Sequence, residues 1–228
     1  MALAEPNPPT EPPIPQFKVL TKKHPLAIRW FHWINFPVLA IMVWSGLLIY
    51  WANDVYSLFG FRFFPIIGHD KDGGQLTWLD KFGLSARLAE GMGWHFTFMW
   101  VFTINGVLYV LYTLFSGEWR YIIPRKDTLK QAIHVVLHDL RLSKKPLPRQ
   151  KFNGAQKIAY TSVVLMGLGS VITGLAILRP LQVPWLTALL GGYEFARILH
   201  FALMIGFCMF FLVHILQVIR AGWNNFRA

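Results

Sequence analysis

The 228-residue sequence has little charge and a single cysteine. Only 14% of the residues are charged and 54% are hydrophobic, whereas ordinary soluble domains carry about 25% charged residues. Because Cys208 stands alone, the chain forms no internal disulfide and no cysteine-ligated iron–sulfur cluster. A glycine-rich nucleotide fingerprint is also missing from the sequence. These absences exclude a disulfide-stapled secreted scaffold and favour a membrane protein.

Four long segments of the sequence contain no charged residue. They are Trp30–Ala52, Trp94–Phe115, Ile158–Leu178 and Ile198–Ile219, and each has at least 21 residues. At about 1.5 Å per residue, about 20 helical residues cross the ~30 Å hydrocarbon layer. Four buried core helices are a remote alternative, and continuous runs disfavour a β-barrel. The sequence predicts an all-α integral membrane protein built as a four-transmembrane-helix bundle.

The N-terminal part of the chain differs in composition. Residues 1–17 contain six prolines and little apolar surface to bury, so we expect a disordered Pro-rich tail. One four-helix membrane domain is expected over residues 18–228. The first apolar run has 23 residues and no small-residue cleavage site nearby, which favours a retained helix over a cleaved signal peptide.

Basic residues are divided unevenly between the loops. The arm before the first run holds four basic residues, and residues 120–151 hold nine. Residues 53–93 hold four basic residues against five acidic ones. By the positive-inside rule both termini are cytoplasmic and the 53–93 loop faces outward. The net charge of +11 is then explained by topology, and no nucleic-acid binding is expected.

Two loops have more than a connecting role. Residues 128–141 carry apolar residues at helical spacing opposite Lys130, His138 and Arg141, which predicts a short amphipathic cytoplasmic helix lying on membrane lipid. The apolar positions are Leu129, Ile133, Val136, Leu137 and Leu140. The outer loop carries an apolar, aromatic stretch over residues 58–66, which is too short to span the membrane. We expect that stretch to meet the interface or a partner protein.

Four histidines lie within the apolar runs, where ionisable residues are costly and usually functional. His200 and His214 are 14 residues apart, so they share one helix face and lie about 21 Å apart along the axis. Because neighbouring spans run in opposite directions, His32 is level with His214 at the cytoplasmic side and His95 is level with His200 at the outer side. Hydrogen-bonded packing residues are the alternative for each histidine alone.

Two histidine pairs at two depths predict two cofactors, each bound by two imidazoles. Haem iron takes neutral imidazoles from facing helices as axial ligands. Arg29 and Arg197 each precede a histidine by three residues and, with Arg179, are candidates for binding haem propionates. For Arg29 the topological role of a basic residue explains the position equally well.

Two glycines are candidates for leaving room beside the cofactors. Gly46 follows His32 by 14 residues and Gly106 follows His95 by 11, so each lies on the face of its histidine. Ordinary small-residue helix packing explains either glycine equally well.

His134 and His138 have the i, i+4 spacing of a metal-binding pair. No third ligand lies near them in the sequence, and they belong to the predicted basic interfacial helix. We therefore interpret both as surface residues.

Three segments carry a family resemblance. They are His24–Asn35 (HPLAIRWFHWIN), Gly91–Tyr109 (GMGWHFTFMWVFTINGVLY) and His200–Trp223, in which two histidines fourteen apart are followed by HILQVIRAGW. With these segments the chain resembles the bacterial di-haem cytochrome b family, over about residues 22–227. That family includes cytochrome b561 and the membrane subunits of nickel-iron hydrogenase, formate dehydrogenase and thiosulfate reductase.

The resemblance implies a cofactor set and a function. Two b haems would pass electrons between the quinone pool and a partner oxidoreductase in a bacterial inner membrane. His32 and His214 would bind the inner haem, and His95 and His200 the outer one. The segment SGEWRYIIP at 116–124 is similar to the branch that accompanies molybdopterin oxidoreductases. Substrate chemistry other than quinone turnover would then belong to another polypeptide.

Two other functions stay open at this point. One is a self-contained quinone-coupled cytochrome b oxidoreductase, and the other is a four-helix transporter or channel in which the histidines relay protons. For the leading function we hypothesise that an extracytoplasmic partner docks over residues 53–93, while quinone reacts at the inner end near His214.

Overall fold

The computed structural model describes residues 25–52, 57–58, 61–62, 83, 87–143 and 150–221. The structure is helical apart from one short hairpin within these residues. The helices are α1 (Leu26–Trp51), α2 (Leu88–Phe115), α3 (Trp119–Ile122), α4 (Thr128–Asp139), α5 (Gly154–Leu178), α6 (Pro184–Leu189) and α7 (Tyr193–Ala221). The hairpin pairs β1 (Ser57–Leu58) with β2 (Phe61–Arg62) antiparallel, with Ser57 opposite Arg62.

Four of the helices, α1, α2, α5 and α7, are long and apolar enough to cross a membrane. The prediction of an all-α protein with four transmembrane helices is confirmed. Each helix begins four to six residues before the uncharged run that predicted it, and α7 also ends two residues after its run. The reason is that backbone hydrogen bonding continues into the interface, where charged residues such as Glu90 and Lys157 are tolerated.

The beginning of α5 shows how local sequence sets a helix boundary. The Asn153 side chain accepts a hydrogen bond from the Gln156 backbone N–H at 2.9 Å. The Gln156 side chain in turn accepts one from the Asn153 backbone N–H at 3.0 Å. This capping box satisfies two backbone donors that a helix start leaves open, so the third spanning helix begins at Gly154.

The bundle consists of two tightly packed helix pairs. In the first pair α1 packs along α2, and in the second α5 packs along α7. Gly91 allows the close approach in the first pair, because a Cβ there would lie 2.9 Å from Leu48 Cβ and 3.1 Å from the Ser45 carbonyl oxygen. In the second pair a Cβ on Gly206 would lie 2.9 Å from Met166 Sδ. Backbone contacts between the pairs are sparse by comparison.

Aromatic side chains bridge the space between the two pairs. Tyr50 of α1 stacks on Phe201 of α7 with ring centroids 4.6 Å apart. At another level Phe102 of α2 meets Phe207 of α7 edge-on at 6.3 Å. The pairs therefore meet through aromatic side chains rather than through close backbone packing.

The predicted amphipathic helix is present as α4, and it has one buried and one exposed apolar face. Thr128, Ala132 and Val135 are buried, and α4 packs against the start of α5. A Cβ on Gly154 would lie 2.6 Å from the Thr128 carbonyl oxygen, so only glycine fits that contact. The five apolar residues that the sequence analysis assigned to lipid contact are all exposed. This arrangement suits a helix that is anchored on the bundle and covered by lipid on its outer face.

Some expectations lie outside the described residues. The proline-rich tail over 1–17 is one of them, as is most of the aromatic stretch in the 53–93 loop, of which the structure describes the backbone of the short hairpin.

Candidate functional site

The structure brings the four membrane histidines together as two pairs. The rings of His32 and His214 have their centroids 6.0 Å apart, and those of His95 and His200 are 6.2 Å apart. In each pair one histidine comes from α7, while its partner comes from α1 or from α2. Each pair therefore bridges the two helix pairs of the bundle.

The pairs lie at opposite ends of the spanning helices. His95 and His200 each follow the first residue of their helix by seven positions, Leu88 in α2 and Tyr193 in α7. His214 lies seven positions before the end of α7. At about 1.5 Å per residue, the two histidines of α7 are about 21 Å apart along the helix axis.

A hydroxyl group contacts each ring of the pair formed by His95 and His200. Ser45 Oγ of α1 lies 2.9 Å from Nδ1 of His95, and Thr173 Oγ1 of α5 lies 2.8 Å from Nδ1 of His200. Each hydroxyl comes from the other helix of the same pair. Since Nδ1 is engaged in both rings, Nε2 is the nitrogen left to bind a metal.

A glycine follows each of these hydroxyl residues and lies against the same ring. A Cβ on Gly46 would be 3.5 Å from Cε1 of His95, and one on Gly174 would be 3.3 Å from Cε1 of His200. Gly46 was predicted to leave room on the face of His32, and the structure instead packs it on His95. The reason is that 14 residues of helix raise Gly46 to the level of the other pair.

The pair formed by His32 and His214 has apolar surroundings. His32 is exposed, and its ring meets Trp33 edge-on at 5.8 Å. The His214 ring stacks on Phe210 at 5.7 Å with an interplanar angle of 10°. Among the described residues, neither ring has a hydrogen-bond partner. The two pairs thus differ in the groups that orient their imidazoles.

The geometry of both pairs fits one metal held between two imidazoles. A metal lies about 2 Å from each ligating nitrogen and the ring centre lies about 1 Å further out, so two axial rings have centres about 6 Å apart. Each pair also faces the space between the helix pairs, where aromatic side chains keep the backbones apart. No cluster of three or more histidine, cysteine, aspartate or glutamate side chains suited to a metal ion occurs in the described part of the chain. Two imidazoles alone suit a haem, which supplies the remaining ligands from its own ring.

The three arginines predicted to bind propionates lie at helix ends. Arg29 is exposed in the first turn of α1, and Arg179 is exposed at the C-cap of α5. Arg197 Nη1 donates to the Glu194 carboxylate at 3.2 Å, and its guanidinium carbon lies 5.7 Å from the Tyr193 ring centroid. Arg197 precedes His200 by one helical turn, so it lies beside the histidine pair of that end.

His134 and His138 lie half-buried on α4. Nε2 of His134 and Nδ1 of His138 are buried without a hydrogen-bond partner in the described part of the structure. The interpretation of both as surface residues therefore holds only in part, because α4 packs against the start of α5.

The sequence analysis did not identify Ser45 and Thr173 as residues of the site. A signal for them existed, since Ser45–Gly46 and Thr173–Gly174 stand six and five residues before the ends of α1 and α5, respectively. Both dipeptides therefore lie at the depth of His95 and His200. Serine and threonine are common in membrane helices, so this signal gains weight only once the helix pairs are known.

A four-helix membrane bundle whose histidines face each other in pairs has the architecture of a membrane cytochrome b. The family described as Prokaryotic cytochrome b561 matches residues 23–225, and the chain belongs to this family. The predicted family is confirmed. The chain is thus a multi-pass, haem-binding membrane protein of electron transfer.

One relative is similar over nearly its whole length. It is named "Putative protein-methionine-sulfoxide reductase subunit YedZ1" and comes from Azospira oryzae. The two chains are 30% identical over 196 residues, which cover 86% of this chain and 89% of the relative. No solved structure matches the chain.

Proposed function

We propose that this chain is the membrane subunit that carries electrons through two b haems between the quinone pool and an extracytoplasmic oxidoreductase. The observation that carries the proposal is the presence of two facing histidine pairs at two depths. His32 and His214 bind the inner haem, and His95 and His200 bind the outer haem. Both ligand sets depend on α7, which joins the two sites through one rigid helix.

The residues of the chain contribute the binding and the orientation of the cofactors. A b haem, when bound, supplies a one-electron couple whose potential depends on its axial ligands and surroundings. The two imidazoles of each pair would hold the iron of one haem, at two depths of the bundle. Arg29 and Arg197, with Arg179, hold propionates at the helix ends, where a guanidinium forms paired hydrogen bonds to a carboxylate.

The orientation follows from the charge distribution. Both termini and the basic 120–151 segment lie on the cytoplasmic side of the bacterial inner membrane, and α4 rests on its anionic inner leaflet. Quinone reacts at the inner end near His214. The exposed His32 ring supports this position, because it leaves the inner pair open towards the membrane.

The partner is an extracytoplasmic oxidoreductase of the molybdopterin kind that docks over residues 53–93. The name of the Azospira relative, a protein-methionine-sulfoxide reductase subunit, supports a partner that reduces oxidised methionine in proteins. No cysteine cluster or nucleotide fingerprint occurs in the sequence, so the reduction belongs to the partner.

The test is the haem content of the purified chain and of single ligand variants. Wild type is expected to contain two haems per chain by the pyridine-haemochrome assay, with b-type bands in the reduced-minus-oxidised spectrum. His200→Ala should lose the outer haem and His214→Ala the inner one. His138→Ala, which lies outside both pairs, is the matched control and should retain two. Wild type without b-type bands, or two haems remaining after either ligand substitution, would refute the assignment.

A further inference from the structure

The geometry points to Ser45 and Thr173 as positioning residues that hold the imidazoles of the outer pair by their Nδ1 atoms and lower the reduction potential of the haem bound there. This inference rests on the proposed assignment of His95 and His200 to the outer haem. It adds a specific role for two side chains from the helices that carry neither of these ligands.

The hydrogen-bond directions follow from the number of protons available. A hydroxyl has one proton, and each of these hydroxyls has a backbone carbonyl of its own helix within reach. Ser45 donates to the Met42 oxygen at 3.2 Å, and Thr173 donates to the Gly169 oxygen at 2.7 Å. Each hydroxyl oxygen therefore accepts from the histidine Nδ1–H. That tautomer leaves Nε2 without a proton and free to bind iron.

Burial makes these contacts difficult to replace. Ser45 is 0% exposed and Thr173 is 1% exposed. Removal of either hydroxyl would leave the Nδ1–H group beside a buried position without its acceptor, and an unsatisfied buried donor is costly. The same seclusion keeps each imidazole in one orientation.

The glycine after each hydroxyl residue supports this arrangement independently. The Cε1 edges of the two rings lie against Gly46 and Gly174, at distances that leave no spare room for a Cβ at Gly174. Each ring is therefore held at Nδ1 by a hydroxyl and along an edge by a backbone. Two unrelated helix pairs have the same Ser/Thr–Gly combination at the same depth, which a chance packing contact does not explain.

The inner pair provides a comparison within the same chain. In the described part of the structure the rings of His32 and His214 contact aromatic side chains and no hydroxyl. A hydrogen bond from Nδ1–H to oxygen increases the electron density that an imidazole donates through Nε2. More donation stabilises ferric iron over ferrous iron. The hydroxyls thus bias the outer haem towards a lower potential than its imidazoles alone would set.

The test is redox titration of Ser45→Ala and Thr173→Val in the full-length chain, with the two haems resolved. At a fixed ambient potential near the midpoint, each variant should shift the ferrous-to-ferric ratio of the outer haem upwards by about twofold to tenfold, where tenfold equals about 59 mV for one electron. The inner haem should keep its potential. Thr173→Ser, which restores a hydroxyl, should return the outer haem to near its wild-type potential, and the ferric electron paramagnetic resonance signal should follow the same pattern.

Thr97→Val is the matched control. The Thr97 hydroxyl donates to the Gly93 carbonyl at 2.8 Å, two residues from His95, without contacting a ring. It should leave both potentials unchanged. Loss of the outer haem alone in Ser45→Ala or Thr173→Val would also support the role, because it shows that the ring needs its hydroxyl.

Three results would overturn the inference. The first is an unchanged reduction potential and resonance signal of the outer haem in both variants. The second is an equal shift in the reduction potentials of both haems, and the third is loss of both haems. Failure of the underlying two-haem proposal is distinguishable, because it would appear in wild type as a stoichiometry other than two.

Discussion

The imidazole of His32, near the start of the first spanning helix, lies 6.0 Å from that of His214, near the end of the last one. A group bound between them therefore closes the bundle between its first and last spanning helices. We expect His214→Ala to destabilise the chain, because a ligand that binds only the folded state at about 100 times its Kd contributes about 2.7 kcal/mol. Thermal unfolding in detergent measures this, with His138→Ala as the control. Equal melting temperatures for both variants would contradict the prediction.

The glycines beside the histidines predict a graded response to alanine. Gly174→Ala brings a Cβ to 3.3 Å from Cε1 of His200, which is tighter than ordinary contact, whereas Gly46→Ala reaches 3.5 Å from His95. Gly167→Ala, whose Cβ would meet only Phe102 Cζ at an ordinary 3.8 Å, is the control. The ferric resonance spectrum of the outer haem should change most for Gly174→Ala, less for Gly46→Ala and not for Gly167→Ala. A reversed order would show that the rings have a different position.

The ion pair between Glu118 and Lys151 joins the end of the second span to the start of the third. Its N–O distance is 2.6 Å, and the side chains are 17% and 30% exposed. Glu118→Gln should lower the free energy of unfolding by about 1–2 kcal/mol, between the values typical of exposed and buried pairs.

The pair of Arg87 with Glu90 is a suitable control for that measurement. It has the same 2.6 Å distance but side chains that are 38% and 40% exposed. Glu90→Gln should cost less than about 0.5 kcal/mol. A larger effect at Glu90 than at Glu118 would contradict the expected dependence on burial.

The proposed topology predicts which sites a membrane-impermeant thiol reagent reaches. In a Cys208→Ala background, Ser57→Cys in the 53–93 loop should react in intact spheroplasts. Ser143→Cys, just after α4, should react only after the membrane is opened. The reverse pattern would place both termini outside and reverse the proposed sides of the partner and of the quinone site.

The partner site is tested by deleting residues 59–64. The variant should keep two haems that quinol reduces, while electron flow to the partner oxidoreductase falls, because the outer aromatic stretch is the proposed contact. Control deletions belong in the 1–17 tail, which carries no proposed role. The proposed docking site would be refuted if electron transfer to the partner survived the deletion. It would also be refuted if a cytoplasmic partner were cross-linked to the 117–153 segment.

The spanning helices and the depths of their histidines could be predicted, because both depend only on the local sequence of each apolar run and on helix geometry. An uncharged run of about 20 residues has to span as a helix, since lipid offers no partner for free backbone groups. Helical spacing alone relates His200 to His214, and alternating helix direction brings His95 level with His200. The exact helix starts could not be predicted from charge, because Glu90 and Glu194 lie inside helices at the membrane interface.

By itself, the sequence determined four spans, the depth of each membrane histidine, the apolar face of α4 and the family. The tertiary structure alone decided that Ser45 contacts His95, that Thr173 contacts His200, and that Gly46 lies against His95 rather than His32. These contacts depend on how each helix is rotated and how closely it approaches its neighbour, which is set by small residues such as Gly91 at the helix interface. Many sequence positions offer a serine or a glycine, and only packing selects which of them meets an imidazole.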